Sequence, residues 1–156
     1  ADRTPASLLR FALRARGITG RQARLAIDLV VPMCSIQSVF NQPIETLSKG
    51  FKRRVGLAQA LVHDPEVLIL DEPTDGLDPN QKHGVREMIR GMSTNKCIII
   101  STHILEEVDA VCSRAMSIGK GKILADDTPA ALRAAGGGNL DEYFRQLTTG
   151  NGEAAA

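Results

Sequence analysis

Tryptophan is absent from this chain and other aromatic residues are scarce, with one Tyr and four Phe among 156 residues. The core is therefore expected to be aliphatic, within a hydrophobic content of 43% that is ordinary for a globular protein. No run of 18 apolar residues occurs, which leaves no stretch long enough to cross a bilayer as a helix. The opening residues Asp2, Arg3 and Thr4 are polar, unlike a secretory signal. Only three cysteines are present, Cys34, Cys97 and Cys112, far apart and without metal-ligand spacing. An odd number on apolar backgrounds predicts reduced, buried thiols in a cytosolic protein rather than a disulfide framework or zinc site. A strong excess of one charge is missing too, since the net charge is +1. That near-balance hides an asymmetry. Residues 1–63 carry ten Lys/Arg against three Asp/Glu, a balance of +7, and residues 64–156 carry nine against fifteen, a balance of −6. With no aromatics interleaved among the basic residues, this pattern predicts two distinct surfaces and no nucleic-acid partner.

At 156 residues the chain is one domain's worth, and its first 60 or so residues read as all-helical. Leu8, Leu9, Phe11, Ala12 and Leu13 predict a helix over 6–17, capped by Thr4 with Pro5 at the first position and stopped by Gly17. Ala23, Ala26, Ile27 and Val30 predict a second helix over about 21–31, ended by Pro32. Residues 33–46 read as loop. Ser48 then caps a helix whose apolar positions Phe51, Val55, Ala58 and Val62 recur at helical spacing as far as Asp64-Pro65. Such a start, with a hydroxyl residue and a glycine, presents free N–H groups and the positive end of the helix dipole. Lys49, Lys52, Arg53 and Arg54 surround it, so it suits an anion, although an ordinary capped helix with a solvated basic face has the same pattern.

Val67-Leu68-Ile69-Leu70 predicts a short, fully buried strand of a parallel sheet, and it ends abruptly in Asp71-Glu72-Pro73. Ligands of open α/β sheets sit beyond the carboxyl ends of such strands. If strand geometry persists, the two carboxylates point in opposite directions and can take separate tasks. One could hold Mg2+ and the next could orient a nucleophilic water; a plain acidic turn is the alternative. After a turn-rich loop, 74–79, a helix over about 80–93 precedes a second buried strand, Cys97–Ser101, with Thr102 and His103 at its end. Strand, helix, strand implies a right-handed parallel crossover that puts His103 on the same sheet edge as Asp71 and Glu72. A short helix over 104–112 follows. A hairpin is then predicted across Gly119-Lys120-Gly121, and a further helix from Thr128 to about Ala135. Gly136-Gly137-Gly138 reads as a flexible break, Leu140 to Leu147 as a final amphipathic segment, and residues 149–156 as a disordered tail.

Taken together, Leu47-Ser48-Lys49-Gly50-Phe51, Val67 to Glu72, Gly76-Leu77-Asp78 and His103 resemble, in order and spacing, the ATP-binding subunit of ABC transporters over roughly residues 1–148. The stretch Leu47–Phe51 is similar to the family's signature motif, with Lys49 in place of a glycine and Phe51 in place of the glutamine. The resemblance implies that Ser48, Lys49, Gly50 and Phe51 bind ATP, Ser48 and Gly50 being the positions most tied to its γ-phosphate. It implies that Asp71 ends a Walker B strand and supports Mg2+, and that Glu72 is the catalytic glutamate that polarises the attacking water. Gly76 and Asp78 fall in the loop that crosses to the partner subunit, and His103 matches the switch histidine on the γ-phosphate. The wording of the signature helix and of Asp75 to Pro79 looks most like subunits of the drug-efflux and gliding-motility type.

One departure bears on activity. No segment has the phosphate-cradling form GxxxxGKS or GxxxxGKT, and Gly119-Lys120-Gly121-Lys122 lacks its spacing. The family's first strands, adenine-stacking aromatic and glutamine loop are also missing. The chain thus resembles the carboxyl-terminal portion of a subunit, a P-loop NTPase-like α/β fold. The expected organisation is a helical signature subdomain over 1–63, part of a parallel sheet with flanking helices over 64–148, and the tail. The resemblance implies ATP hydrolysis driving transport in the intact parent, with this chain inactive alone. It also implies a second ATP-binding subunit dimerised across ATP, a membrane-spanning permease, and a location at the cytoplasmic face of the membrane. A non-catalytic dimerisation or permease-contacting module and a soluble ABC-type ATPase are the alternatives.

Overall fold

The computed structural model describes residues 3–150, which fall into two compact units divided after Ser101. In the first, helices α1 (Pro5–Ala15), α2 (Gly20–Met33) and α3 (Lys49–Leu61) pack mutually. Their sequence starts explain their positions. Thr4 accepts from the Ser7 N–H while the Ser7 hydroxyl partners the Thr4 backbone, a reciprocal cap ahead of Pro5 at the first turn. Leu9 and Leu13 of α1 and Ile36 beyond α2 are fully buried, and Val55, Leu57, Ala58 and Leu61 of α3 close the same aliphatic core. Between α2 and α3, the expected loop or irregular stretch contains two short 3-10 turns (Gln37–Val39 and Ile44–Thr46). They are tied to the start of α1 by Ala6 N–H to Phe40 O at 3.0 Å and Ile44 N–H to Arg3 O at 2.9 Å.

Three expectations for this unit are corrected. Helix α2 does not stop before Pro32 but runs through it to Met33. In the last turn the proline forfeits only one bond, and Cys34 N–H to Val30 O closes the helix at 3.0 Å. The strands β1 (Val67–Asp71) and β2 (Cys97–Ser101) are parallel, as expected, with Val67 opposite Cys97 and Asp71 opposite Ser101. They are not fully buried, however: Leu68 and Leu70 face the core while Val67, Ile69 and Ile99 are 56%, 73% and 54% exposed. Among the described residues this sheet has two strands, and β1 is covered on the face that carries Leu68 and Leu70. The thiols also differ from expectation. Cys34 alone is buried, Cys97 is exposed and Cys112 half-buried, because the exposed strand positions include Cys97.

Helix α4 (Pro79–Met92) connects the two strands, with Val85, Ile89 and Met92 buried. Asp78 caps it by accepting from Gln81 N–H at 3.0 Å, and Pro79 takes the first position.

The second unit begins at Thr102. It comprises α5 (Leu105–Val111), the antiparallel hairpin β3 (Ala115–Gly119) with β4 (Lys122–Asp127), α6 (Pro129–Ala135) and α7 (Leu140–Gly150). Lys120 and Gly121, with φ of 49° and 74°, form the two-residue turn, both in the left-handed region that such hairpins demand. Val108, Leu132 and Leu140 make a small core with Tyr143 and Phe144 packed against it. The three glycines after α6 are not a loose break. Gly138 N–H bonds Arg133 O at 2.9 Å, and a side chain at Gly136 would overlap Asn139 O, so glycine permits a tight helix–helix turn. Helix α7 carries regular structure through Gly150, and the rest of the tail, 151–156, lies outside the described residues.

Candidate functional site

The first unit brings two sequence-distant features together: the start of α3 and the carboxyl end of β1. A cleft of about 600 Å³ separates them, with Lys49, Lys52 and Arg53 on the helix side and Asp71, Asp75 and Gly76 on the strand side. Leu57, Ile69 and Leu70 supply its apolar lining. Basic helix residues and acidic strand-end residues therefore border one concavity, a polarised surface suited to charged ligands.

Ser48 caps α3 by accepting from Phe51 N–H at 3.3 Å. A hydroxyl that accepts one bond retains its own proton as a donor, so the cap and an anion contact are compatible. Ser48 and Lys49 are exposed and Gly50 is buried. A methyl group at Gly50 would overlap the amide oxygen of Gln81, so glycine lets α4 approach the helix start closely. Half-buried Phe51 lies under the Arg54 guanidinium, 5.5 Å from the ring centre, and so fills space rather than offering the amide that glutamine would.

Asp71 is exposed, and Ser101, its register partner, donates its hydroxyl to one Asp71 carboxylate oxygen. The remaining lone pairs are a hard oxygen site. Among the described residues no group of three His, Cys, Asp or Glu forms a metal cage. A lone exposed carboxylate is compatible with Mg2+, which commonly takes one or two carboxylates beside phosphate and water oxygens.

At Glu72 the strand geometry does not persist. Its φ is 44°, left-handed for a residue with a side chain, so Asp71 and Glu72 diverge through a backbone turn rather than through strand alternation. The Glu72 N–H bonds Ser101 O at 2.9 Å and its carbonyl accepts from Asp75 N–H at 3.1 Å. Beyond it, Gly76 has φ 69° with open space around its Cα, so glycine is there for its conformation. Asp78 is committed to capping α4. The exposed His103 lies in the second unit, between β2 and α5, where Thr102 accepts from Ile104 N–H at 3.1 Å and donates to buried Glu107 at 2.9 Å.

Of the residues singled out from the sequence, Lys49, Asp71 and Gly76 line the cleft directly. Ser48, Gly50 and Phe51 lie on the first turn of α3 or just before it, and Glu72 and Asp78 in the loop that follows β1. Two contributors had not been singled out. Ser101 was visible only as a polar residue closing an apolar strand. Arg53 was visible only as one of four basic residues, yet it donates from Nη2 to Asp71 O at 3.0 Å and from Nε to Pro73 O at 3.4 Å.

Comparison with known proteins bears on the family and the fold. The family model described as ABC transporter matches residues 17–75. The Nod factor export ATP-binding protein I of Paraburkholderia xenovorans is 39% identical over 119 residues, covering 76% of this chain and 39% of that relative. A solved structure described as the ATP binding subunit of an ABC transporter superposes with a TM-score of 0.81 at 26% identity, over 94% of this chain and 62% of that one. The structure of cbiO1 from Clostridium perfringens, described as part of the ABC transporter complex cbiONQ, gives 0.76 at 27% identity, over 94% and 57%. The chain thus spans about two fifths of the length of the curated relative and about three fifths of the solved chains. The fold is that of the P-loop NTPase-like ABC ATPases, and the chain belongs to the family of ABC transporter ATP-binding subunits.

Proposed function

We propose that the protein carrying this chain binds Mg-ATP and hydrolyses it to drive transport across a membrane. The observation that carries this reading is that one compact unit carries both the capped, basic start of α3 and the carboxylate end of β1, on either side of a cleft. Two ATPs lie between two such subunits: Ser48 and Gly50, flanked by Lys49 and Phe51, meet the γ-phosphate of one, whose other contacts come from the second subunit, while the carboxylates of this chain serve the other. Asp71, oriented by Ser101, supports Mg2+, which neutralises phosphate charge. Glu72 polarises the attacking water and His103 contacts the γ-phosphate, while Gly76 and Asp78 shape the loop that reaches the partner subunit. The chemistry is phosphoryl transfer to water, resting on positioning and charge stabilisation. Because this chain contains no phosphate-cradling loop, it does not turn over ATP by itself.

A permease partner at the cytoplasmic face of the membrane accounts for another surface. Leu25, Leu29 and Met33 recur at i, i+4 and i+8 along α2 and are 53%, 69% and 47% exposed, an apolar stripe suited to a partner helix. No helix among the described residues is long and apolar enough to cross a membrane, so the pore belongs to another chain in this reading. The relative named for Nod factor export favours the outward direction.

The test is Glu72→Gln in the full-length ATPase. The substitution keeps shape and hydrogen-bonding capacity but removes the charge that polarises water. Turnover is expected to fall on the order of a hundredfold or more while ATP binding survives and ATP-dependent dimers accumulate. Turnover at the parental rate would refute the assignment of Glu72.

A further inference from the structure

Glu72 occupies a left-handed backbone conformation that residues with a side chain rarely adopt, and such a conformation persists only where its surroundings impose it. What imposes it here is visible in the hydrogen bonds. The peptide group joining Asp71 to Glu72 is held at both ends: its N–H by Ser101 O at 2.9 Å and its carbonyl by Arg53 Nη2 at 3.0 Å. One residue further, Arg53 Nε reaches Pro73 O at 3.4 Å. A single guanidinium therefore grips the carbonyl before Glu72 and the carbonyl after it, and a planar fork with several donors is the side chain that can do so. Arg53 stands on the second turn of α3, five residues beyond Ser48.

Resting on the reading of Glu72 given above, we propose that Arg53 is a positioning residue for that carboxylate, holding the Asp71 and Pro73 carbonyls so that Glu72 keeps its left-handed turn. The helix that faces the γ-phosphate thereby also sets the backbone from which the water is polarised. Arg53 touches neither substrate nor water in this role. A cation alone is insufficient, because Lys carries one ammonium on a flexible stem and has no fork to span two carbonyls.

The experiment uses the full-length ATPase with Arg53→Met, Arg53→Lys, Glu72→Gln and the Arg53→Met/Glu72→Gln pair. Arg53→Met is expected to lower kcat about tenfold to a hundredfold while KM for ATP stays within about twofold, as for misplacement of a catalytic group. Arg53→Lys, which keeps the charge and so protects folding, is expected to lose most of the same factor. Amide exchange at Glu72 should accelerate in both single variants while the α3 amides keep their protection. In the Glu72→Gln background, Arg53→Met should change residual turnover by less than about twofold, because the carboxylate it positions is already gone. Parental kcat in either Arg53 variant overturns the proposal, as does an equal loss in the Glu72→Gln background. Parental turnover in Glu72→Gln alone removes the assigned role of Glu72, and this proposal falls with it.

Discussion

Ser101 faces Asp71 across the parallel pair of strands and donates its hydroxyl to the aspartate carboxylate. Both residues are exposed, so the bond does little for the fold. It fixes which carboxylate oxygen is left for the Mg2+ contact proposed above. Ser101→Ala should change stability by no more than about 1 kcal/mol. In the full-length ATPase it should nevertheless weaken Mg2+-dependent ATP binding about tenfold, the usual effect of removing a residue that orients a metal ligand. Asp71→Asn should weaken it further. A Mg2+ titration of ATP binding checks both, and equal Mg2+ affinity in all three proteins would show that Asp71 is not the metal carboxylate.

Ser48 combines a cap with a proposed phosphate contact, and the two can be separated by charge. Aspartate caps a helix as well as serine and suits the positive end of the dipole, so Ser48→Asp should keep the unfolding free energy, read from urea titration, within about 0.5 kcal/mol of the parent's. Facing phosphate, the same carboxylate repels, and ATP-dependent dimerisation of the full-length protein should weaken about a hundredfold or more. Ser48→Ala should instead destabilise α3 by about 1 kcal/mol. Dimerisation of Ser48→Asp at parental ATP concentrations would mean that the start of α3 does not meet the γ-phosphate.

Glu72 keeps a side chain where glycine would be the relaxed choice. Glu72→Gly should therefore leave the fold more stable than Glu72→Ala by roughly 1 kcal/mol, while both abolish turnover. Denaturant midpoints of the two variants decide it; equal midpoints would show that the turn carries no strain.

Burial pushes the Cys34 thiol from an ordinary 9.0 up to about 12, with the Arg54 charge opposing the shift. Unfolded, the thiol ionises above pH 9, whereas in the folded chain it stays protonated until about pH 12. Its contribution to stability is thus intact below pH 9 and declines as pH rises toward 12, by roughly 1.4 kcal/mol per pH unit. The stability of Cys34→Ala should fall less steeply than the parent's between pH 9 and 10.5. At pH 8 iodoacetamide should label exposed Cys97 and reach Cys34 only after unfolding.

What could be read from the sequence was whatever the chain settles locally. Thr4, Ser48 and Thr128 each bond an N–H three residues on, and the Lys120-Gly121 turn needs only its own two residues. Helix starts and the hairpin followed directly. Burial of β1 was misread because an unbroken apolar run signals cover on both faces, whereas Val67 and Ile69 are exposed and only Leu68 and Leu70 are buried. Arg53 escaped notice for a different reason. Its partners are main-chain carbonyls 18 and 20 residues away, and a carbonyl is present at every residue, so no side-chain spacing announces such a clamp.

The parallel register of β1 and β2 also has a consequence for synthesis. Asp71 and Ser101 are thirty residues apart, and parallel pairing waits for the intervening helix, whereas the β3–β4 hairpin closes over two residues. A ribosome adding 5–20 residues per second takes about two to six seconds to cover that interval. Throughout it, the strand bearing Asp71 and Glu72 exists without its partner, its apolar edge open to chaperones or to a neighbouring nascent chain. The same two carboxylates would be among the last residues of the first unit to reach their final geometry.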